Sequence, residues 1–478
     1  MPSATFNRRQ FLSASSIAAA SPALLNAQTG RPFRSVMCLI ADDQAAIAGC
    51  YGNDVVRTPN MDRLAREGTR FTHAYATTPS CSASRSVILS GLQNHKNGQF
   101  GHAHLPANFH SHPQVQSIPR ILKEQGFRTG VVGKLHVQPA EVYPWDYEVT
   151  AGFGNRDVWE MGQKVREFLA ESDGQPFYLH VGFSDPHRAG GPGGFANHRD
   201  YQNVDAREYS PTDVTVPDFL PDQPEVRSEL AQYYQSIDRL DQGYGFCLDA
   251  LEEAGRLEDT LVLCFSDHGM PFPGAKASPY DTGLHVPLLA MAPGQRRKGI
   301  TNNAMVSLTD IAPTVLDWCG AETPAGYEFH GSSFVPILGE ESGAGRDEHY
   351  YSHTFHEIVN FFPWRGVRTR KFKYTKFLYP ELEMPLPSDL WGSPTWQGVR
   401  SRQSKTVGLR RTQNMLHHAP EELYDIVADP METTNLAGSA RHQAVLSELR
   451  EKVAKFREDT GDPWLRYFNR IESAAEPL

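Results

Sequence analysis

The chain has 478 residues, 40% of them hydrophobic and 21% charged, and its formal net charge is −10. This composition is typical of a globular protein with one large domain and an appendage, or with two domains, and it excludes a disordered, fibrous or membrane-spanning chain. An acidic chain is not a general nucleic-acid binder, so an anionic ligand would need a pocket that is locally positive.

The N-terminal segment, residues 1–27, has the features of an export signal. Arg8 and Arg9 precede a Phe-Leu pair, and a short, weakly apolar run ends in small residues at Ala27. This pattern is typical of a twin-arginine signal peptide, and its apolar run is too short to span a bilayer. We therefore expect the folded protein to be carried by the twin-arginine export machinery to the periplasm or the medium.

After the signal peptide, apolar strand patterns alternate with amphipathic helical patterns. Such alternation predicts an α/β domain whose mostly parallel sheet lies between two layers of helices, and we place this domain at residues 32–346. Short strand patterns and a closing helix then predict a smaller C-terminal α+β domain with an antiparallel sheet at residues 347–478. Strands of the first domain are predicted at 36–40, 130–133, 177–183, 260–265 and 286–291.

Two long stretches rich in Pro, Gly and Asp, residues 189–224 and 379–419, exceed ordinary loop lengths and are candidate walls of a pocket. The second stretch carries five basic residues that would either grip a polyanion or simply face solvent. These are Arg400, Arg402, Lys405, Arg410 and Arg411.

Charged residues directly follow four of the predicted strands. Ligands bind beyond the carboxyl ends of the strands in open α/β sheets, so we expect these side chains to converge on one crevice. A single one of them would be explained by a helix cap or a structural histidine, but four strand ends together indicate a site. The residues are Asp42 and Asp43, Lys134 and His136, Asp185, His187 and Arg188, and Asp267 and His268.

The chemistry of these residues narrows the ligand. Asp42, Asp43 and Asp267 offer hard oxygen ligands suited to Ca²⁺ or Mg²⁺, and no Cys/His set with zinc spacing accompanies them. Four cations predict that a compact oxyanion such as sulfate or phosphate completes the site, and two histidines would move protons. The pattern indicates ester hydrolysis at sulfur or phosphorus. The cations are Lys134, Lys276, Arg85 and Arg188, and the histidines are His136 and His187.

Cys81 is the one cysteine of six with polar neighbours, and the six do not indicate a disulfide framework. Small buried hydrophobes are expected at Cys38, Cys247, Cys264 and Cys319, and Cys50 stays undecided. Ser80 is predicted to cap a helix that ends at Gly91, with Arg85 on the same face as Cys81. The helix dipole would lower the pKa of this thiol. A reactive thiol in an exported protein would be open to oxidation, so we expect Cys81 to be modified.

The run CSASR resembles the sulfatase signature, in which the cysteine is oxidised to formylglycine before the protein leaves the cytoplasm. The stretches IADD, GKLH and SDHG support that resemblance, and SDPHR, VYPWDY and MPFP resemble the N-sulfoglucosamine sulfohydrolase (sulfamidase) branch over nearly the whole mature chain. The resemblance implies the alkaline phosphatase-like fold, with a small C-terminal sheet domain. It also implies hydrolysis of the N-sulfate of glucosamine in heparin or heparan-type saccharides.

The resemblance implies a role for each residue. Ca²⁺, with Mg²⁺ or Mn²⁺ as alternatives, would be held together with the modified Cys81. One hydroxyl of the hydrated aldehyde would attack sulfur while lysines stabilise charge on the sulfate oxygens, and Arg85 would orient the modified residue. His187 would protonate the leaving group, and His136 would assist expulsion of sulfate by the second hydroxyl. The implied metal ligands are Asp42, Asp43, Asp267 and His268, the lysines are Lys134 and Lys276, and the sugar pocket is Asp185, Arg188, His356 and Glu357.

Three residues depart from the family pattern. Ala83 stands where the signature usually has proline, which suggests maturation by the radical, oxygen-independent type of formylglycine-generating maturase. His268 stands where the sulfamidase has asparagine, and nitrogen is a poorer ligand for Ca²⁺ than oxygen. Lys276 replaces an arginine, so the charge is kept but the bidentate fork is lost. A homodimer is expected only from the resemblance.

Other functions stay open. An O-sulfatase acting on another sulfated polysaccharide would share all of these motifs, because pocket loops decide the substrate. A phosphodiester or phosphonate hydrolase of the same superfamily is suggested by the Asp267–His268 pair. A non-catalytic glycan binder with an unconverted Cys81 would not need the acid, base and metal residues, whose presence argues against it.

Overall fold

The computed structural model describes residues 34–152, 154–190 and 194–465. The predicted signal peptide, residues 1–27, lies outside the described residues. Within the described part, no helix is both long and apolar enough to cross a membrane.

An eight-stranded sheet forms the centre of the protein, with the strand order β4-β3-β5-β1-β6-β7-β2-β8. Only β7 runs antiparallel to its neighbours β6 and β2, and the other adjacent strands pair in parallel. The predicted mostly parallel sheet is confirmed. The strands are β1 (Ser35–Ala41), β2 (Thr69–Tyr75), β3 (Arg128–Gly133), β4 (Tyr147–Val149), β5 (Phe177–Gly182), β6 (Thr260–Ser266), β7 (His285–Met291) and β8 (Ile300–Ser307).

Both faces of this sheet are covered by helices, as β1 illustrates. Val36, Cys38 and Ile40 pack on one side with the helices Cys81–Ser90, Ile118–Glu124 and Ile311–Cys319. The alternate residues Met37 and Leu39 pack on the other side with Pro59–Glu67, Val158–Glu171 and Pro224–Glu253. A strand buried on both faces explains the continuous apolar run in the sequence. Shorter helices are Asn94–Asn97 and Asp281–Leu284, and single 3₁₀ turns lie at Gly49–Tyr51, Leu308–Asp310, Val335–Ile337 and Ala440–His442.

A four-stranded antiparallel sheet with the order β14-β11-β10-β9 forms the C-terminal region, which confirms the expected second sheet. Leu446, Leu449 and Val453 of the helix Gln443–Asp459 pack on it. The exact boundary at residue 347 stays a prediction. The strands are β9 (Glu348–Phe355), β10 (Phe361–Thr369), β11 (Phe372–Phe377) and β14 (Glu421–Asp425).

The stretch 379–419 is not a long loop, which corrects the prediction. It contains the helices Ser388–Trp391, Pro394–Ser401 and Thr412–Leu416 and a hairpin of β12 (Thr406–Val407) and β13 (Arg410–Arg411). These pieces are too short to show a periodic pattern in the sequence. Arg410 does not face solvent, because its guanidinium lies 3.8 Å from the ring centroid of Tyr280 and donates to the carbonyl of Gly274.

Candidate active site

The carboxyl ends of β3, β5, β1 and β6 lie side by side, and the predicted charged residues follow each strand directly. Two of these residues turn the chain sharply, since Asp43 has a φ of 68° and His136 a φ of 62°, in the left-handed region that few non-glycine residues adopt. The backbone N–H of Lys134 donates to the carbonyl of Gly182 at 2.6 Å, which joins two of the strand ends. The expected convergence at one edge of the sheet is therefore observed.

Three carboxylates meet at this edge. Oxygen atoms of Asp42, Asp43 and Asp267 lie within 4.8 Å of one another, and all three residues are buried. Burial and the neighbouring Asp42 and Asp43 raise the pKa of Asp267 to about 6, although Arg85 opposes this. The pKa of Asp42 lies well below its usual value, because Lys134, His187 and Arg85 outweigh burial. A cluster of this charge fits a divalent cation.

His268 completes the donor set. Its Nδ1 donates to the carbonyl of Gly269 at 2.9 Å, so Nε2 faces the carboxylates, 3.0 Å from Oδ1 of Asp43. In a typical metal-ligating histidine, one ring nitrogen donates a hydrogen bond to a carbonyl, and the other ring nitrogen faces the metal site. Burial would lower the pKa of His268, but Asp267 and Asp43 raise it well above the usual value.

Cys81 is the first residue of the helix Cys81–Ser90, which ends at Gly91 as predicted, and its side chain is buried. Its Sγ lies 3.3 Å from Nε2 of His268 and 3.7 Å from Oδ1 of Asp43, in the centre of the site. Two predictions are corrected here. Burial, with Asp42 and Asp43, raises the pKa of the Cys81 thiol against the opposing charges of Lys134 and Lys276, so the predicted lowering of this pKa is wrong. Ser80 stands before the helix, but its Oγ contacts Nδ1 of His356 at 2.9 Å rather than capping a backbone N–H.

Arg85 links this helix to the strand ends. Its Nε donates to Oδ2 of Asp267 at 3.0 Å, one Nη donates to the carbonyl of Lys134 at 2.9 Å, and the other lies 3.4 Å from Oδ1 of Asp42. Arg85 is fully buried. The residue therefore contributes a fixed positive charge directly behind Cys81.

Lys134 and Lys276 form the cationic wall of the site, and His187 contacts Lys276. Lys134 pairs with Asp42 through Nζ. Nζ of Lys276 lies 2.9 Å from Oδ2 of Asp43, from Nε2 of His187 and from Oδ2 of Asp389. Burial would lower the pKa of Lys276, but Asp389 and Asp43 raise it well above its usual value. Lys276 is therefore charged.

The tautomer of His187 follows from its contacts. A carbonyl only accepts, so Nδ1 of His187 donates to the carbonyl of Arg188, and Nε2 accepts from Lys276. Burial lowers the pKa of His187. The unprotonated Nε2 therefore points into the site.

A cavity of about 690 Å³ opens over this edge of the sheet. It is lined by Asp42, Lys134, His136, His187 and Lys276, together with His356 and Glu357, which directly follow β9. Asp389 also lines the cavity and was missed by the sequence analysis, because a lone aspartate 113 positions from its partner Lys276 gives no pattern. The only feature of the sequence that pointed to Asp389 was its position within 379–419, which was predicted to form a pocket wall.

Two predicted sugar contacts are not brought to this cavity. Asp185 is fully buried, where it accepts from Arg239 at 2.6 Å and from Ser236 at 3.0 Å and pairs with Arg156. Arg156 lines the cavity and donates to the carbonyl of His187 at 2.8 Å, so Asp185 acts as a positioning residue. Arg188 pairs with Glu229 and lines a neighbouring cavity of about 840 Å³.

The arrangement defines a hydrolase that acts on an oxyanion ester, built on an alkaline phosphatase-like fold. The family model described as Sulfatase matches residues 34–321, and the model described as N-sulphoglucosamine sulphohydrolase, C-terminal, matches residues 275–394. The chain belongs to the sulfatase family and is a hydrolase, as the motifs predicted.

Individual relatives agree with this assignment. The human N-sulphoglucosamine sulphohydrolase is 35% identical over 462 residues, which cover 90% of this chain and 91% of the human protein. An ulvan-active sulfatase of Formosa agariphila is 27% identical over 90% of this chain and 75% of its own. A structure solved in complex with its substrate D-glucosamine-2-N,6-O-disulfate has a TM-score of 0.66 at 21% identity, covering 90% of this chain and 99% of that one, and it supports the fold.

Proposed function

We propose that this sulfatase hydrolyses the N-sulfate of glucosamine in heparin or heparan-type saccharides. The supporting observation is that the stretch similar to N-sulphoglucosamine sulphohydrolases, residues 275–394, supplies one wall of the cavity. Lys276, His356, Glu357 and Asp389 all come from it. The similarity therefore includes the surface that a substrate would meet.

The site requires two groups besides its side chains. Asp42, Asp43, Asp267 and Nε2 of His268 would hold Ca²⁺, with Mg²⁺ or Mn²⁺ as alternatives, and Cys81 would be converted to formylglycine. When present, the ion neutralises the sulfate oxygens and formylglycine supplies the nucleophile. The buried carboxylates and the outward Nδ1 contact of His268 fit such an ion.

The cationic residues of the chain bind and orient the sulfate. Lys134 and Lys276 stand at the cavity, and each is paired with a carboxylate of the cluster, so their ammonium groups are held in place before substrate arrives. Arg85 is held by its hydrogen bond to Asp267, and its guanidinium places a positive charge next to Cys81. Such preorganised charges stabilise an anionic transition state without rearranging.

His187 handles the leaving group. The overall reaction converts R–NH–SO₃⁻ and water into R–NH₃⁺ and SO₄²⁻, so nitrogen must gain two protons as the N–S bond breaks. Nε2 of His187 faces the cavity beside Lys276, and it would deliver one of these protons once protonated. His136 lines the same cavity and would accept a proton from the nucleophilic group.

A second candidate is an O-sulfatase on another sulfated polysaccharide. The 27% identity to an ulvan-active sulfatase favours it, because the catalytic residues would be shared and only the pocket wall would differ.

Sulfate release separates the two functions. The protein, co-expressed with a radical-type maturase, is given glucosamine N-sulfate, 3-O-sulfate and 6-O-sulfate, and free sulfate is measured by ion chromatography. Release from the N-sulfate supports the proposal, and release only from an O-sulfate contradicts it. Cys81→Ala is the matched control, since an alanine side chain has no thiol or hydroxyl for the maturase to oxidise, and it should release none.

We further propose twin-arginine export to the periplasm or medium, which rests on Arg8 and Arg9. Because that route carries folded proteins, the maturase would act on Cys81 in the cytoplasm. An Arg8→Lys/Arg9→Lys variant is expected to stay in the cytoplasm, which fractionation would test. A homodimer remains a proposal from the family resemblance alone.

A further inference from the structure

Four histidines, His102, His104, His136 and His356, lie together in the lining of the 690 Å³ cavity. Nδ1 of His104 lies 2.8 Å from Nε2 of His136, and Nε2 of His102 lies 3.1 Å from Nε2 of His356. The ring centroids of His102 and His104 are 4.8 Å apart, and those of His104 and His136 are 5.0 Å apart. His102 and His104 have no role in the function described above, and His356 is assigned only to the wall that meets substrate.

The hydrogen bonding of this cluster is incomplete. His102 is only 6% exposed, and within the described part of the chain its Nδ1 has no hydrogen-bond partner. Nδ1 of His136 is likewise buried without a partner among the described residues. A buried polar atom that is unpaired costs about 1–3 kcal/mol, so these rings are expected to have a further ligand.

We propose that His102, His104 and His136 bind a divalent transition-metal ion such as Zn²⁺, Co²⁺, Ni²⁺ or Cu²⁺. One ring nitrogen from each lies within 4.8 Å of the other two. Metal–nitrogen bonds of about 2.0–2.1 Å would require the nitrogens to approach by small ring rotations. His104 is exposed, so its ring has more room for that adjustment than the ring of His102, which is buried.

This site is distinct from the carboxylate site in chemistry. Asp42, Asp43 and Asp267 offer hard oxygens, which suit Ca²⁺ or Mg²⁺. Three imidazoles instead suit Zn²⁺, Cu²⁺ and Ni²⁺. An excess of Ca²⁺ should therefore fill the first site and leave the second available.

The neutral state of the rings favours binding of a metal ion, and the neighbouring charge of Lys134 opposes it. Burial lowers the pKa of His102 and of His136 well below the usual value, so both rings are neutral and carry a lone pair. Lys134 also lowers the pKa of His136, and the same positive charge would repel a dication. We therefore expect the ion to bind less tightly than at a three-histidine site without a neighbouring cation.

Binding would have a consequence for catalysis, and this part alone rests on the proposed function. An ion held by His136 would occupy a ring lone pair on the residue that is to accept a proton. It would also stand in the cavity where the saccharide enters. The ion is therefore expected to inhibit sulfate release, in competition with substrate.

Binding is tested without any activity measurement. Full-length Cys81→Ser protein, which lacks the competing thiol, is saturated with Ca²⁺ and titrated with Co²⁺ while visible absorption is recorded, and with Zn²⁺ by calorimetry. We expect one equivalent of each ion to bind, with Co²⁺ bands typical of nitrogen ligands. Absence of binding under excess Ca²⁺ would overturn the proposal.

Matched variants locate the ion. In the same background, His104→Ala and His102→Ala should each weaken Zn²⁺ binding at least tenfold. His110→Ala removes an exposed histidine of the same chain segment outside the cluster and should leave binding unchanged. If all three variants bind as the parent does, the ion lies elsewhere and the proposal is wrong. Circular dichroism confirms that each variant is folded.

Inhibition is measured separately on matured protein. The Zn²⁺ concentration for half-inhibition should rise at least tenfold in His104→Ala and stay the same in His110→Ala. If no saccharide is hydrolysed, the proposed function fails while the binding result stands. If hydrolysis is observed but no ion binds, only the histidine site fails.

Discussion

Arg85 is the residue on which the charge balance of the site depends most. Its buried guanidinium donates hydrogen bonds to Asp267, to Asp42 and to the carbonyl of Lys134. A lysine has one compact ammonium group and cannot reach three acceptors in different directions. We expect Arg85→Lys to lower kcat for sulfate release about 100-fold, and to lower the free energy of unfolding by about 1–3 kcal/mol.

The control for this substitution is Arg166→Lys. Arg166 also makes a two-pronged contact, to Glu253 at 2.7 and 3.0 Å, but that pair lies on the surface. Kinetics and urea unfolding should show little change there, within about 0.5 kcal/mol. Equal effects in both variants would mean that burial at Arg85 is unimportant.

His187 can be tested through the basicity of the leaving group. An amine or sugar alcohol needs a proton to depart, whereas the phenolate of an aryl sulfate leaves without one. His187→Ala should therefore lower kcat/KM for glucosamine N-sulfate by about 10²- to 10⁴-fold, and should lower kcat/KM for p-nitrophenyl sulfate much less.

Steady-state rates with the two substrates give the comparison directly. The exposed His198 offers a control, and His198→Ala should change neither rate. An equal loss on both substrates in His187→Ala would assign His187 to binding rather than to proton transfer.

Single site residues could be predicted where they follow a long apolar strand. Site residues that reach the cavity through contacts between distant parts of the chain could not. Asp42 and Asp267 were visible because each ends a buried strand. Asp389 reaches the site only through the packing of a four-residue helix. The pKa of Cys81 was predicted in the wrong direction because the sequence shows the helix start but not the burial.

Among the elements, the paired ends of β3 and β5 hold the cationic wall in place. A Cβ on Gly182 would lie 2.1 Å from the carbonyl oxygen of Lys134, the group to which Arg85 donates. Gly182→Ala must therefore push the two strand ends apart and move Lys134 and Arg85. We expect the free energy of unfolding to fall by about 1–3 kcal/mol, and sulfate release to be largely lost.

Urea unfolding and sulfate release would be measured on the same preparation. Gly438→Ala is the matched control, because a Cβ there meets nothing within 4 Å. A stable but inactive Gly182→Ala protein would still agree with displaced side chains, whereas a fully active one would refute the argument.

The helices and strands also fall into two groups, those that the sequence predicts and those that it does not. The central strands were predicted because each is buried on both faces and gives an uninterrupted apolar run. The helices between 388 and 416 were missed because they span eight residues or fewer. They are held by Trp396, Val399 and Met415 packing on Tyr280, a contact between distant parts of the chain.

For the molecule as a whole, the site joins both sheets. The central sheet supplies the carboxylates, and the chain after β9 supplies His356 and Glu357. An ion on the carboxylates would therefore stabilise the structure at the point where these regions meet. Without an ion, the neighbouring carboxylates of Asp42, Asp43 and Asp267 repel one another, and a bound cation would offset that repulsion.

We expect the melting temperature of the protein to fall when EGTA removes the ion and to recover with added Ca²⁺. In the ion-free protein, the pKa of Asp267 is raised to about 6 from an ordinary 3.8, and the pKa of His268 is also raised. Asp267 therefore binds more protons in the folded than in the unfolded state between about pH 4 and 6, and His268 does so at higher pH, so the stability that these two groups contribute falls as the pH rises.

The stabilisation by Ca²⁺ should for the same reason be larger at pH 7.5 than at pH 5, because binding must displace these protons. At a Ca²⁺ concentration 100 times the dissociation constant, the gain is about 2.7 kcal/mol. Differential scanning fluorimetry at both pH values, with EGTA or Ca²⁺, measures it. Asp42→Asn should lose most of the Ca²⁺ effect, and a gain that is the same at both pH values would show that Asp267 and His268 are not among the ligands.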